Sequence, residues 1–319
     1  MRRVGWAILF AATSCVIAVI LWWRVPIEHA PLDAPAPPIH RPSESEGQVA
    51  GFSEGAPEPS RPIPVPQPPP DYAAQLRAAS DYLDYVHSLL GAARAGDHAA
   101  QFYIFRAFEK CDAEFRLYFG TRLTRVPLDD ALKWAANKGW PFDPEEVRRV
   151  HGRCFGLLDS GVKEFGDRNE WLRLASDGGY PLAQVFFVRH QAMDARKAGA
   201  DDPAAREARR LTLAEALRSR DPEVIFEIGS SLFVTLASND ERAWDETEWV
   251  LAACFRGLDC SPQSEVARRL CLFDRACQPY ESVVDIVRRG NPTEFPAMEE
   301  HARSINGKID EGDWAALGF

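Results

Sequence analysis

The sequence predicts an all-α protein: an α-solenoid of about five to six helical hairpins, preceded by one transmembrane helix and a disordered proline-rich linker. Three observations favour this fold class. A turn recurs about every forty residues, an apolar stripe at helical spacing precedes each turn, and no stretch shows the sustained apolar–polar alternation typical of strands. The predicted boundaries are an anchor at residues 1–24, a linker at residues 25–70 and a helical-repeat domain at residues 71–319.

The turn recurs at intervals of 43, 40, 41, 37 and 33 residues. It lies at Gly96, Gly139, Gly179, Arg220, Gly257 and Gly290. Seven positions earlier the residue is always Leu or Val: Leu89, Leu132, Leu172, Leu213, Val250 and Val283. Four positions earlier lie Ala92, Ala135, Ala175, Ala216, Ala253 and Ile286. Positions −7 and −4 share one face of a helix that ends in the turn, and repetition at this period is typical of stacked helical hairpins.

The helices between these turns are predicted from apolar spacing and from prolines near their starts, where proline is tolerated. They are residues 72–95 with 98–119, 127–137 with 144–158, 170–177 with 182–196, 203–220 with 223–238, 240–256 with 262–273, and a partial sixth pair, 282–289 with 293–305.

Two segments carry a family resemblance. They read Trp171-Leu172-x-x-Ala175 followed by Gly179-x-x-x-Ala183-Gln184, and Gly96-Asp97-x-x-Ala100-Gln101, with a weaker copy at Asp221-Pro222-Glu223-x-x-Phe226. They resemble degenerate Sel-like repeats, a subclass of the tetratricopeptide superfamily. The resemblance implies an α-solenoid used for protein interaction, often in bacterial envelopes, with helices tied by disulfides in some members.

An uncharged stretch at residues 4–23 predicts the transmembrane helix. Twenty helical residues rise about 30 Å, the thickness of a bilayer core. Because Arg2 and Arg3 precede the stretch, the amino end is predicted to be cytoplasmic and the bulk of the chain periplasmic, held at the inner membrane. Two alternatives are a cleaved signal peptide and a lipoprotein that uses Cys15. The apolar run continues well past Cys15, which favours the uncleaved anchor.

The segment at residues 25–70 contains 14 of the 24 prolines. Such a composition buries no core and favours extended conformations, so the segment is predicted to be a tether that spans roughly 40 Å as a flexible coil. A proline-rich ligand for a partner protein is the alternative.

The charge balance separates the possible partner classes. The chain has 47 acidic and 37 basic side chains, a net charge of −10. This disfavours nucleic acid, whose binding depends on phosphate neutralisation by Lys and Arg. The predicted partners are therefore envelope proteins of unknown identity, together with the membrane itself at residues 4–23.

Six of the seven cysteines follow the predicted anchor, and an even number fits disulfides in an oxidising compartment. Cys111 and Cys154 each lie 15 residues after a repeat turn, so they hold equivalent positions in neighbouring repeats. The favoured pairs are Cys111–Cys154, Cys254–Cys260 and Cys271–Cys277, although the last four cysteines permit three pairings. A zinc site at those four is the alternative, but its spacings exceed those of usual zinc motifs.

Catalytic motifs are scarce in this sequence. Ser160-x-x-Lys163 matches the nucleophile motif of penicillin-interacting enzymes, but the companion motifs are missing. No histidine pair has metal-ligand spacing, and no nucleotide-binding loop is present. We therefore predict no catalytic activity, no cofactor and no metal. A cell-wall hydrolase or a peptidoglycan-binding module of the envelope is the alternative.

The aromatic residues give the best indication of an interaction surface. Trp171 and Trp249 share a repeat position and are predicted to be interior, and the apolar tail at residues 313–319 is predicted to cap the last hairpin. The candidate surface consists of Trp134, Trp140, Trp244, Tyr103 and Phe186. The predicted function is a membrane-anchored periplasmic scaffold for protein–protein interaction.

Overall fold

The computed structural model describes residues 70–119, 127–137, 144–200, 202–232, 245–273 and 281–319. All of them belong to one compact unit. The predicted anchor at residues 4–23 and the linker up to residue 69 lie outside the described residues. Within the described ranges, no helix is both long and apolar enough to cross a membrane.

Every regular element in the described ranges is helical, which agrees with the predicted all-α class. The first half contains α1 (Tyr72–Ala78), α2 (Tyr82–Arg94), α3 (His98–Phe119), α4 (Leu128–Asn137), α5 (Pro144–Gly156), α6 (Val162–Phe165) and α7 (Arg168–Asp177). The second half contains α8 (Pro181–Lys197), α9 (Pro203–Leu217), α10 (Pro222–Gly229), α11 (Glu246–Phe255), α12 (Glu265–Phe273), α13 (Val283–Gly290) and α14 (Phe295–Glu311). A π-helical turn, Leu157–Gly161, joins α5 to α6.

Aspartate side chains cap the amino ends of seven described helices: α1, α2, α3, α7, α9, α10 and α11. Each carboxylate accepts a hydrogen bond from a backbone N–H of the first turn, a donor that has no partner within the helix. Four described helices begin with proline, at Pro144, Pro181, Pro203 and Pro222. Caps and prolines are local signals, which explains why the predicted starts of α8, α9 and α10 fall within one residue of the observed ones.

Helices pack pairwise, mostly between neighbours in the chain. α2 packs on α3, α4 on α5, α7 on α8, and α9 on both α8 and α10; α11 lies between α10 and α14. The order is not a plain succession of hairpins, because α7 packs on α3 while α5 also lies against α2 and α3. The first hairpin therefore contacts both the second and the third.

The apolar repeat positions form the centre of these contacts. At position −7, five of the six residues are at most 5 % exposed, and Leu132 is partly buried against the core. At position −4, Ala175, Ala216 and Ala253 are fully buried. Small side chains here let the next helix approach closely, as the sequence pattern predicts.

Four of the six repeat turns have a residue in the left-handed conformation, and the turn at Gly139 lies outside the described residues. Gly96, Gly179 and Gly257 have φ of 94°, 80° and 110°, and Arg220 adopts φ of 56°. After each of the three glycines, the next amide N–H donates to the carbonyl of the alanine at position −4, at 3.0 Å. This is the Schellman end of a helix, which requires a left-handed residue and therefore favours glycine. Gly290 differs, since it is the last residue of α13 and Asn291 caps the helix.

Two predicted helices are interrupted. The predicted helix at residues 72–95 is broken at Ala79, where ψ is 128°, and α2 begins again after Asp81, which caps it. A local capping residue therefore overrides a continuous apolar stripe. The helix predicted at residues 223–238 is interrupted by a turn at Ser230 and Ser231, whose hydroxyls donate to the carbonyl of Glu227, and residues 233–238 lie outside the described residues.

The chain end covers the core, as predicted. Leu317 is 3 % exposed, and the ring of Phe319 packs edge-on against Trp249, with 6.1 Å between centroids. Trp249 is fully buried. Trp171, also predicted to be interior, is only half-buried, and its Nε1 donates to the carbonyl of Phe165 at 3.0 Å.

Candidate functional site

A cleft of about 420 Å³ lies among α1, α3, α8, α10 and the segment at residues 257–266. Its walls come mainly from the second helices of hairpins. The residue seven positions after the turn lines the cleft in four repeats: Tyr103, Phe186, Glu227 and Ser264. Because these positions are equivalent, the repeat itself brings them to one side of the domain.

Aromatic rings form one wall of the cleft. Phe102 lies with its centroid 5.2 Å from that of Tyr103 and 5.6 Å from that of Phe186. The ring of Tyr180 packs against both Phe102 and Tyr103. Burial raises the pKa of the Tyr180 hydroxyl to about 12, so this group is neutral at physiological pH.

Two members of the predicted aromatic surface belong to this wall. The prediction that they are exposed is wrong: Tyr103 is 6 % exposed and Phe186 is fully buried. Their edge-to-face contacts with neighbouring rings are more favourable than contact with water, so they pack inward and only border the cleft. Of the predicted tryptophans, Trp140 and Trp244 lie outside the described residues, and Trp134 is on α4 with its side chain outside the description.

A network of ion pairs packs against the aromatic rings of this wall. Glu227, with its side chain 4 % exposed, accepts a hydrogen bond from Arg106 Nη2 at 2.9 Å and another from Arg189 Nη1 at 3.1 Å. Arg106 Nη1 also donates to Glu109 Oε2 at 2.7 Å. The two guanidinium carbons lie 4.7 and 4.1 Å from the centroid of the Phe186 ring. Two positive and two negative charges thus compensate each other around one aromatic ring.

None of the motifs and repeat positions described for the sequence predicts this network of ion pairs. Arg106 and Arg189 each lie ten residues after a repeat turn, at Gly96 and Gly179. Equal register on two helices was therefore a usable signal. Glu227, which binds both arginines, could not be recognised in this way. It lies seven residues after its turn, a position that is aromatic in two other repeats, at Tyr103 and Phe186.

The other charges of the cleft divide into paired and unpaired groups. Arg77 lies 3.6 Å from Glu223, and Lys110 pairs with Glu265. Asp71, Asp221 and Asp259 also line the cleft. Their carboxylates accept hydrogen bonds from the backbone N–H groups of Ala74, Glu223 and Ser261, at 2.8, 2.7 and 3.1 Å respectively. No basic side chain of the described residues pairs with these three carboxylates.

Burial perturbs two carboxyl groups near these pairs. Burial raises the pKa of Glu223, and the nearby Arg106 only partly offsets this. Burial likewise raises the pKa of Glu114, against the opposing effect of Lys110. The Oε2 atom of Glu114 is buried without a hydrogen-bond partner among the described residues. In both groups the burial of the carboxyl is the main cause of the shift in pKa.

Two of the predicted cysteine pairs are disulfides in the structure. Cys111–Cys154 joins α3 to α5, with 5.3 Å between Cα atoms. Cys254–Cys260 joins the end of α11 to the loop that lines the cleft, with 5.6 Å between Cα atoms. The zinc alternative is therefore wrong, because two of its four sulfurs are bonded to each other. Cys277 and the side chain of Cys271 lie outside the description, so the third bridge stays a prediction.

The predicted Ser160 motif is only partly described. Ser160 lies in the π-helical turn, its side chain is outside the description, and Lys163 is exposed. In the described part of the chain, no group of three or more His, Cys, Asp or Glu side chains is placed to hold a metal ion.

Comparison with known proteins gives no assignment: no family model, no curated protein and no solved structure matches this chain. The resemblance to Sel-like repeats thus depends on a few repeat residues and does not identify a family. What the structure establishes is a helical domain, paired helices and two disulfides among the described residues.

Proposed function

We propose that this chain is a scaffold of the bacterial envelope, whose helical-repeat domain binds a protein segment in the cleft. In this proposal, residues 4–23 anchor the chain in the inner membrane with the amino end in the cytoplasm. The linker at residues 25–70 holds an α-solenoid of the Sel-like type in the periplasm. The two disulfides support an extracytoplasmic location, because such bonds persist in oxidising compartments.

The observation that carries the proposal is the repeat register of the cleft. Four repeats contribute the residue at the same register, seven after the turn, to the lining of the cleft. Helical-repeat proteins bind partners along one side of the stack because equivalent positions of stacked repeats face the same way. A volume of about 420 Å³ accommodates a few side chains of a partner segment.

Site-specific photo-crosslinking in the intact envelope tests this proposal. A benzoyl-phenylalanine at Arg77 faces the cleft, and one at Arg218 serves as the control, because Arg218 does not line the cleft. The side chains are 53 % and 62 % exposed, so both positions tolerate the change. We expect a defined protein adduct from position 77 and none from position 218. Adducts from neither position, or the same adduct from both, would contradict the proposal.

We also propose that the chain has no catalytic activity. The alternatives are tested in parallel by sedimenting the full chain with purified cell wall and by assaying cell-wall turnover with a Ser160→Ala variant. Co-sedimentation in the absence of a protein adduct favours a peptidoglycan-binding module. Turnover that the variant abolishes favours a hydrolase.

A further inference from the structure

The charges of the cleft are not balanced. Its lining includes six acidic side chains and three basic ones. The basic groups are already paired, Arg77 with Glu223, Lys110 with Glu265, and Arg106 with Glu109 and Glu227. The lining thus retains the negative charge of three carboxylates, on Asp71, Asp221 and Asp259.

These three carboxylates come from three different walls of the cleft. Asp71 precedes α1, Asp221 precedes α10, and Asp259 belongs to the loop that Cys254–Cys260 holds in place. Asp71 and Asp259 are exposed, and Asp221 is half-buried. The positive ends of α1 and α10 offset part of the charge of the first two, but a half-charge at each helix end does not neutralise a full carboxylate. A negative rim therefore surrounds a cleft whose partly exposed apolar lining includes Phe226, Leu258 and Val266.

This combination points to the chemistry of the ligand. A Lys or Arg side chain has an apolar stem that packs on apolar surface and a cationic head that reaches carboxylates. An anionic ligand would find each basic group of the cleft occupied by a closer carboxylate, and it would be repelled by the rim.

We propose that the cleft binds a cationic segment of a partner protein, in which Lys or Arg alternates with apolar residues. This inference rests on the proposed scaffold function and specifies the chemistry of its partner. Apolar residues of the segment lie on the partly exposed side chains of Phe226, Leu258 and Val266, and its basic side chains lie at Asp71, Asp221 and Asp259. Complementary charge selects the segment, and the apolar lining supplies contact area.

Three labelled ten-residue peptides, added to the full chain in non-ionic detergent, test the proposal by fluorescence anisotropy. All three contain Leu and Gly, with three Lys in the first, three Gln in the second and three Glu in the third. We expect the Lys peptide to bind at least about tenfold more tightly than the Gln peptide, with the advantage decreasing as salt is added. The Glu peptide is expected to bind most weakly.

A charge-matched pair of triple variants locates the effect. In the first, Asp71→Asn, Asp221→Asn and Asp259→Asn remove the charge of the rim. In the second, Asp167→Asn, Asp202→Asn and Asp245→Asn make the same change at three caps that do not line the cleft. Asparagine caps helices about as well as aspartate, so both variants are expected to keep their fold. We expect the first to lose about tenfold in affinity for the Lys peptide, and the second to lose less than about twofold.

The outcomes separate this inference from the function on which it rests. Equal losses in the two triple variants would show a general charge effect and overturn the inference. Equal binding of the Lys and Gln peptides, together with a crosslink at position 77, would overturn the inference but leave the scaffold function standing. Binding of no peptide, with no crosslink at position 77, would overturn both. If the first triple variant does not fold, Asp259→Asn alone is used, because Asp259 lies in a loop.

Discussion

Arg106 and Glu227 are 121 residues apart in the chain, yet Arg106 Nη2 lies 2.9 Å from Glu227 Oε1 at the buried base of the cleft. Since Glu227 also accepts from Arg189, one carboxylate holds α3, α8 and α10 together. Both guanidinium groups would lose their shared negative partner if this carboxylate were replaced by a neutral amide.

Glu227→Gln is therefore expected to destabilise the domain strongly. We expect a loss of about 3 kcal/mol in the free energy of unfolding, because buried charges without their partner are costly. Urea unfolding measures the loss. The matched control is Glu170→Gln on α7, whose pair with Arg173 is exposed, with side chains 54 % and 46 % accessible. We expect the control to cost less than about 1 kcal/mol. Similar losses in the two variants would show that the buried network contributes little.

Gly229→Ala is expected to disturb the contact between α10 and α11. A Cβ at this position would lie 2.2 Å from Cβ of Trp249, and 3.6 Å from its Cα, so the helices must move apart. We expect a loss of about 2 kcal/mol or more, measured by thermal or urea unfolding. Gly307→Ala on α14 is the control, because nothing lies within 4 Å of its Cβ. It is expected to stabilise by about 0.5–1 kcal/mol, since alanine is the better helix former. A neutral Gly229→Ala would contradict the close approach.

The two disulfides are expected to contribute unequally. Cys111–Cys154 closes 43 residues and Cys254–Cys260 closes 6. Loop-closure entropy then gives about 4 kcal/mol for the first and about 2 kcal/mol for the second. Double Cys→Ala variants of each pair, compared by urea unfolding, check the order. Equal losses, or a larger loss for the shorter loop, would contradict it. Thiol titration of the unreduced, unfolded chain shows whether the remaining pair, Cys271 and Cys277, is also oxidised.

Sequence alone could predict the local half of this fold. Leu172, Ala175 and Gly179 lie within one helix and its turn, so apolar spacing and left-handed glycine determine them without reference to the rest of the chain. The same is true of the helix starts at Pro203 and Pro222. Equivalent positions in neighbouring repeats also led to the Cys111–Cys154 bridge, since facing helices bring such residues within disulfide range.

The contacts between residues that are distant in the chain could not be predicted in this way. The contact of α7 with α3, and the pair of Arg106 with Glu227, depend on how hairpins stack, and each repeat carries only weak information about its neighbours. For the same reason, the sequence does not reveal that Tyr103 and Phe186 are buried. A helix position that is exposed in one hairpin alone becomes buried when the next hairpin packs on it.

Arg220→Gly tests whether the repeat turn itself stores strain. Arg220 holds the position that glycine holds at Gly96, Gly179 and Gly257, and its φ of 56° is unfavourable for a residue with a Cβ. Glycine removes this cost, and we expect a gain of about 1 kcal/mol in the free energy of unfolding. The gain is reduced slightly by losing the exposed hydrogen bond from Arg220 Nη2 to the carbonyl of Asp310, at 3.1 Å.

Arg220→Ala separates the two contributions, because alanine loses the same contact with Asp310 but keeps the strained backbone. The difference in unfolding free energy between the Gly and Ala variants therefore reports the cost of the left-handed backbone less the larger conformational entropy that glycine loses on folding, and we expect a net difference of about 1 kcal/mol in favour of Gly. If the two variants are equally stable, the left-handed turn carries no net cost at this position. The preference for glycine in the other repeats would then require a different cause.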